Sequence, residues 1–169
     1  MDADELRAIQ APLKDRYRAD PSSGLVTLRA QGALDSAAIA CKVETGRALA
    51  VAGLHPATGG TGAELCSGDM LLEALVACAG VTLKAVATSM GVALRSGEVT
   101  AEGDLDFRGT LGVDKQAAVG FTDIRLKFEL DTDAQQDQLD TLLKLTERYC
   151  VVLQTLKCSP AIEATIKRS

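Results

Sequence analysis

The longest apolar run in the chain lies between Ser67 and Gly91, SGDMLLEALVACAGVTLKAVATSMG, and its length and composition predict a helix. Ser67 and Asp69 are residue types that cap exposed amide groups at a helix start, and Gly91 is a helix stop. About 22 residues rising about 1.5 Å each give a helix of roughly 33 Å, long enough to cross a small domain. Glu73, Ala77, Gly80, Lys84 and Thr88 fall on one narrow stripe, and Cys78 lies on the other side with Leu71, Leu75 and Thr82. So thin a polar stripe implies a helix wrapped in protein on most sides, with its thiol in the packed region.

The segments around this helix alternate instead. Residues 2–16 open with acidic side chains and carry Leu6, Ile9 and Leu13, interrupted by Pro12; residues 1–20 are expected to form an accessory helical arm. Val26, Leu28 and Ala30, then Ile39, Cys41 and Val43, then Arg47 to Ala52 predict three short strands. With turns at Gly32–Asp35 and Thr45–Gly46 they would form an antiparallel meander. A glycine-rich loop from His55 to Cys66 leads into the helix. Beyond it, residues 98–108 and 122–130 alternate strongly, with Val99, Ala101, Leu105, Phe107, Ile124, Leu126, Phe128 and Leu130 on the apolar sides. These are strands with one wet face, hence an antiparallel sheet covered on one side. A second helix is expected over 134–149 and more helix over 150–157. After Ser159-Pro160, Ile162, Ala164 and Ile166 mark a closing strand. Strands, helix, strands, helix, strand is the order of an α+β fold, and residues 1–169 read as a single domain.

Composition narrows the function classes. A chain with 47% apolar and 24% charged residues has the balance of a soluble globular domain. The net charge is −5 and no basic patch is visible, so a nucleic-acid partner is not expected. No charged segment followed by an apolar run opens the chain, so no signal peptide is expected. Only the 70–90 run could span a membrane, and Glu73, Lys84 and its many small residues argue for a buried helix instead. The five cysteines, Cys41, Cys66, Cys78, Cys150 and Cys158, are an odd number and point to a reducing, cytoplasmic setting. One histidine, His55, and no CxxC pair leave no metal site to expect, and no cofactor is implied.

The candidates for chemistry are therefore thiols. Cys41 alternates with core residues, and Cys158 follows Lys157 at a helix end. Cys66 stands in the glycine loop, within possible reach of the same site. Cys78 and Cys150 both lie on core-facing sides of helices, where a cysteine is usually a small packed hydrophobe. The ATGGTG loop matches neither GxGxxG after a strand nor GxxxxGK[ST], and no GxSxG elbow exists to pair with His55, which reads as a loop residue.

Two stretches carry a resemblance. Gly59-Gly60-Thr61-Gly62, Ser67-Gly68-Asp69-Met70-Leu71-Leu72 and Ala74-Leu75-Val76-Ala77-Cys78 resemble the OsmC/Ohr family signature, glycines followed by P-x-[DE]-L-L-x-A-x-x-A-C. Cys150-Val151-Val152-Leu153-Gln154-Thr155-Leu156 resembles its second motif, C-P-V-x-x-T-L, and GFTDIRLKFEL looks like the family's general branch. The resemblance covers roughly residues 24–168. It implies antiparallel sheets packed on the long central helix and a second cysteine-bearing helix. It also implies an intertwined homodimer with the two cysteines of each site at the subunit interface. Carried over by position, Cys78 would be the peroxidatic thiol and Cys150 the resolving one, reducing organic hydroperoxides at the expense of a dithiol such as a lipoylated protein. Ser67 and Val151 stand where the motifs have proline, and Gly68 where the hydroperoxide-resistance branch has glutamate. That branch also uses an arginine, for which Arg29 and Arg148 are the candidates here, beside Arg18 and Arg47, with Glu64 or Asp69 to orient it. A fold of this kind that binds an apolar ligand or senses oxidants without turnover, or one in which Cys78 is only packing, is the alternative.

Overall fold

The computed structural model describes residues 2–5, 8, 10–11, 19, 31–34, 40–44, 49–112 and 114–168. Strands β1 (Gln31–Leu34), β2 (Ala40–Glu44), β3 (Leu49–Gly53) and β4 (Leu65–Cys66) form one sheet in that order. The first three pair antiparallel, while β4 runs parallel to β3, with Ala52 opposite Leu65 and Gly53 opposite Cys66. Helix α1 (Ser67–Met90) leaves directly from β4 and ends at Gly91, whose left-handed backbone (φ 71°) lets its N–H reach the Ala87 and Thr88 carbonyls. Strand β5 (Ser96–Leu105), a short helix α2 (Phe107–Thr110) and strand β6 (Phe121–Asp131) follow. β5 and β6 pair antiparallel from Ser96–Asp131 to Leu105–Phe121, with a register shift at Asp104/Leu105. Helices α3 (Gln136–Tyr149) and α4 (Val151–Lys157) are the last regular elements.

The β5–β6 ribbon has the wet and dry faces that alternation requires. Val99, Ala101, Ile124, Leu126 and Phe128 pack inward, and on the outer face Arg125 bridges Asp104, Asp123 and Glu102. The core is two clusters along α1. One holds Leu75, Ala79 and Cys150, the other Leu83, Ala87, Val92 and Leu142, and Phe128 packs against both. α1 contributes every fourth residue, the spacing of a single helical stripe, against α3, α4 and β5.

Several sequence expectations are corrected. α1 is not wrapped on most sides: Leu75, Ala79, Leu83 and Ala87 are buried, but Val81 is 73% exposed. One chain supplies cover for one face only. By length and mean hydropathy (1.8) α1 could also cross a membrane, but its packed stripe makes it the core helix of this fold. The turn expected at Gly32–Asp35 is instead strand β1 over Gln31–Leu34. Residues 24–30 and the Thr45–Gly46 turn lie outside the described residues. The strand expected over 98–108 stops at Leu105, because the Asp106 side chain accepts from the Arg108 N–H (3.0 Å) and starts α2. The closing strand is absent among the described residues: 159–168 have no regular structure, and Ile162 and Ile166 are 84% and 101% exposed. Alternation gives a segment strand character, but a ladder needs an edge beside it. Of the N-terminal arm, Ala3–Glu5, Ala8, Gln10 and Ala11 are helical and Pro12 lies outside the described residues.

Candidate active site

The loop before α1 is a spacer with its own anchors. His55 Nδ1 accepts from the Ala57 N–H (3.0 Å), and the ring stacks on Phe107 with centroids 4.8 Å apart. A Cβ at Gly60 would collide with the Leu54 carbonyl, so this turn needs glycine there. His55 is thus the loop residue its sequence context suggests.

Cys78 lies in the middle of α1, and Cys150 is the single residue between α3 and α4. Cys150 is fully buried with Leu75 and Ala79, and the half-buried Cys78 packs against that same cluster together with Val152, Leu153 and Leu156. The two thiols, 72 residues apart along the chain (150 − 78), therefore converge. Both are free thiols.

Their environments split their acidities. Burial pushes the Cys78 thiol up, but hydrogen bonding from the Val152 N–H, the Cys150 thiol, the Val151 N–H and the Thr82 hydroxyl outweighs it, and the thiol ends below its ordinary value. For Cys150 burial dominates. Its neighbour Cys78 adds to the rise, the Leu153 and Val152 amides only partly oppose it, and the thiol ends above its ordinary value.

The amides come from a simple accounting. The first N–H groups of a helix have no intrahelical acceptor. In α4 the first such bond is made by Gln154, which donates to the Cys150 carbonyl (2.9 Å). Val151, Val152 and Leu153 are left over, and all three act on the two sulfurs. Val151 occupies a position where the resembling motif has proline, which has no N–H to give. The departure from that motif adds a donor to Cys78.

The other candidate residues are elsewhere. Arg148 is exposed, with its guanidinium carbon 5.8 Å from the Tyr149 ring centre, and it is not among the groups that act most strongly on Cys78. Arg29, Arg18, Arg47 and the side chain of Cys41 lie outside the described residues. Glu64 accepts from the Thr61 hydroxyl (3.2 Å), and Asp69 sits exposed in the first turn of α1. Cys66 precedes α1, about 18 Å along the axis from Cys78, which removes it from the site. Cys158 is exposed at the end of α4 on the wall of an open cleft of about 450 Å³ with Arg148, Tyr149 and Val151. Sequence reasoning missed the amides and the Thr82 hydroxyl as thiol partners. The missing proline at 151 and the four-residue spacing of Thr82 from Cys78 were the available signals.

A larger cavity of about 580 Å³ is lined by Val81, Thr82, Val86, Met90, Leu145 and Tyr149 among others; neither Cys78 nor Cys150 lines it. Thr82 lines this cavity and stands four residues, about one helical turn, after Cys78, whose thiol it helps to lower.

The sequence profile described as OsmC-like protein matches residues 60–165. The chain belongs to the OsmC family. Solved structures agree on the fold. The chain is similar to an OsmC-like protein from Mycoplasma pneumoniae at 14% identity, with 79% of this chain and 89% of that one covered and a TM-score of 0.65. It is similar to an organic hydroperoxide resistance protein OsmC from Legionella pneumophila at 16% identity, with 80% and 92% covered and a TM-score of 0.61. A third is an organic hydroperoxide resistance protein from Elizabethkingia anophelis, at 14% identity, 80% and 91% covered and a TM-score of 0.62. Comparison with curated proteins by sequence gives no match. At these identities the likeness establishes the α+β OsmC fold, and both motif cysteines lie inside the matched span.

Proposed function

We propose that this OsmC-family protein is a cysteine-based peroxidase for organic hydroperoxides. Cys78 is the attacking thiol and Cys150 the resolving one. The observation that carries the reading is the opposed bias of two adjoining thiols, one made easier to ionise and the other harder. Pairs pushed apart in this way divide acid and base roles between them.

In the reaction the Cys78 thiolate attacks the terminal peroxide oxygen. The S–O bond forms as the O–O bond breaks, and Cys78 becomes sulfenic acid while the departing alkoxide takes a proton from solvent to give the alcohol. The Cys150 sulfur then attacks the sulfenic sulfur, giving up its thiol proton. A disulfide forms and water leaves. The two electrons that reduced the peroxide have come from the two thiols, and an external dithiol returns them by thiol–disulfide exchange. A lipoylated protein in the cytosol is a reductant of the required class. The apolar cavity beside Thr82 favours hydroperoxides with hydrocarbon substituents over hydrogen peroxide.

The working unit in this reading is a homodimer. The bare face of α1 around Val81 and the strand-patterned arm with Ile162 and Ile166 are surfaces that a second copy would cover. An apolar cavity on α1, beginning at Val81, and a Cys78 thiol with no arginine among its strongest partners also suit a ligand-binding or oxidant-sensing role without turnover. Stoichiometric cumene hydroperoxide followed by steady-state turnover with dihydrolipoamide separates the two. An enzyme consumes peroxide over many cycles and loses this with Cys78→Ser, whereas a sensor stops after one equivalent.

A further inference from the structure

The cavity along α1 has a regular lining. Val81, Ala85 and Ser89 stand four residues apart, and so do Thr82, Val86 and Met90, so two neighbouring rows of one helix line it. Leu145 and Tyr149, again four apart, line it from α3. Lys84 on α1 and Lys144, Glu147 and Arg148 on α3 belong to other rows, and among the described residues no charged side chain lines the cavity. The remaining lining residue comes from outside the OsmC match, which begins at residue 60: it is Gln10 of the N-terminal arm. Ala3 and Gln10, seven residues apart and so about two turns, are half-buried, while Asp4, Glu5, Ala8 and Ala11 are exposed, so one face of the arm is turned to the body of the protein. A capping box fixes the start of the arm: Asp2 Oδ1 accepts from the Glu5 N–H (2.8 Å) and Glu5 Oε2 from the Asp2 N–H (2.9 Å). Among the described residues, the Ser89 hydroxyl and the Gln10 side-chain amide have no protein hydrogen-bond partner.

We propose that the α1–α3 cavity binds an uncharged small molecule with an apolar body and one hydrogen-bonding end, and that the N-terminal arm is its outer wall. The volume of about 580 Å³ suits a small-molecule site. A charged group placed there would lose water and meet no counter-ion, which selects against it. Val81, Val86, Met90 and Leu145 offer an apolar surface to a hydrocarbon body, and the Ser89 hydroxyl and Gln10 amide can each donate or accept at its polar end. Neither cysteine lines the cavity, so the inference goes beyond the peroxidase reading. The ligand class includes organic hydroperoxides, and equally alcohols and amides that no thiol can reduce.

The test uses the full-length Cys78→Ser protein, which has no attacking thiol, and two fluorescent probes built on one skeleton. N-phenyl-1-naphthylamine is uncharged, and 1-anilinonaphthalene-8-sulfonate adds a sulfonate. The uncharged probe is expected to saturate at one per chain and to bind about tenfold or more tightly than the sulfonate. Ala85→Phe puts a ring into the cavity and should weaken binding of the uncharged probe about tenfold. Ser89→Phe, at an exposed position of the same row, does the same job should Ala85→Phe fail to fold. Deleting residues 2–16 removes the outer wall with its hydrogen-bonding group and should weaken binding roughly fivefold. Binding that never saturates, a sulfonate held as tightly as the uncharged probe, or phenylalanine variants that bind like the parent overturn the site. Unchanged affinity after the deletion overturns the arm as its wall. Phenylalanine variants that lose the probe and also change mass in sedimentation equilibrium make this surface a subunit contact, which overturns the site as well. Hydroperoxide turnover by the parent without probe binding sinks this inference and leaves the peroxidase reading; probe binding without turnover does the reverse.

Discussion

Replacing Val151 by proline removes one hydrogen atom from the thiol site and little else. Val151 is the first residue of α4, the helix position that tolerates proline best. The residue before it, Cys150, already has φ −72° and ψ 106°, an extended conformation compatible with a following proline. The Val151 N–H has no acceptor in its own helix, and the side chain is 68% exposed, so little burial is at stake. The expected change in folding stability is within about 1 kcal/mol. At Cys78 the loss is specific. A hydrogen bond to a charged group contributes about 1.5–3 kcal/mol, and sulfur is a weaker acceptor than oxygen, so the low end applies. With about 1.4 kcal/mol per unit, the Cys78 thiol should rise by about one pKa unit. Because the thiolate is the reactive form, its alkylation at pH 7 should slow by about tenfold while the plateau at high pH is nearly unchanged. The assay is the pH profile of iodoacetamide labelling, resolved for the Cys78 peptide, with circular dichroism melting as the check on folding. A folded Val151→Pro protein whose Cys78 profile overlays the parent would refute the claim that the leading amides of α4 set the acidity of this thiol.

The remaining predictions concern the pair, the core and the surface. As pH is raised on the reduced protein, Cys78 should label before Cys150, since its thiol is lowered and that of Cys150 raised; mass spectrometry of the two peptides reads the order. Leu83→Ala should cost about 2–5 kcal/mol in chemical denaturation, because Leu83 is 5% exposed inside the cluster with Ala87, Val92 and Leu142. Ile162→Ser with Ile166→Ser should weaken self-association in sedimentation equilibrium; an unchanged mass for the double variant would remove residues 159–168 from the subunit contact.

What could be read from the sequence divides along a physical line. The end of α1 at Gly91 is a local event, written in capping chemistry, and falls where expected; the start falls at Ser67 as expected, but Cys66 is the N-cap and no side chain caps it, so the expected capping by Ser67 or Asp69 is not what starts the helix. The β5–β6 ribbon and the helical run after Cys150 follow from periodicity in the same way. The convergence of Cys78 and Cys150 follows from carrying the packed faces of α1 and α3 to the two cysteines, Cys150 standing just past the end of α3. What failed were statements about partners. Apolar character around α1 says that a surface needs cover, but not that the same chain provides it, and Val81 remains exposed. Alternation in 162–166 promises a strand, but not a neighbour to pair with. The parallel pairing of two-residue β4 with β3 is set by the loop through Gly60, which no periodicity records. The thiol's donors were hidden for another reason: backbone amides leave no mark in a sequence except where a proline would have removed one.

The central claim is that Cys78 and Cys150 form one redox unit, and the most direct measurement is the product of its first turnover. Fully reduced protein is treated with one equivalent of cumene hydroperoxide, quenched with an alkylating agent, digested without reductant and examined by mass spectrometry. The account predicts a disulfide joining the Cys78 and Cys150 peptides, a transient Cys78 sulfenic acid that accumulates in Cys150→Ser, and neither product in Cys78→Ser. Peroxide that disappears without this crosslink, or oxidation that begins at Cys66 or Cys158 while Cys78 stays reduced, would contradict it.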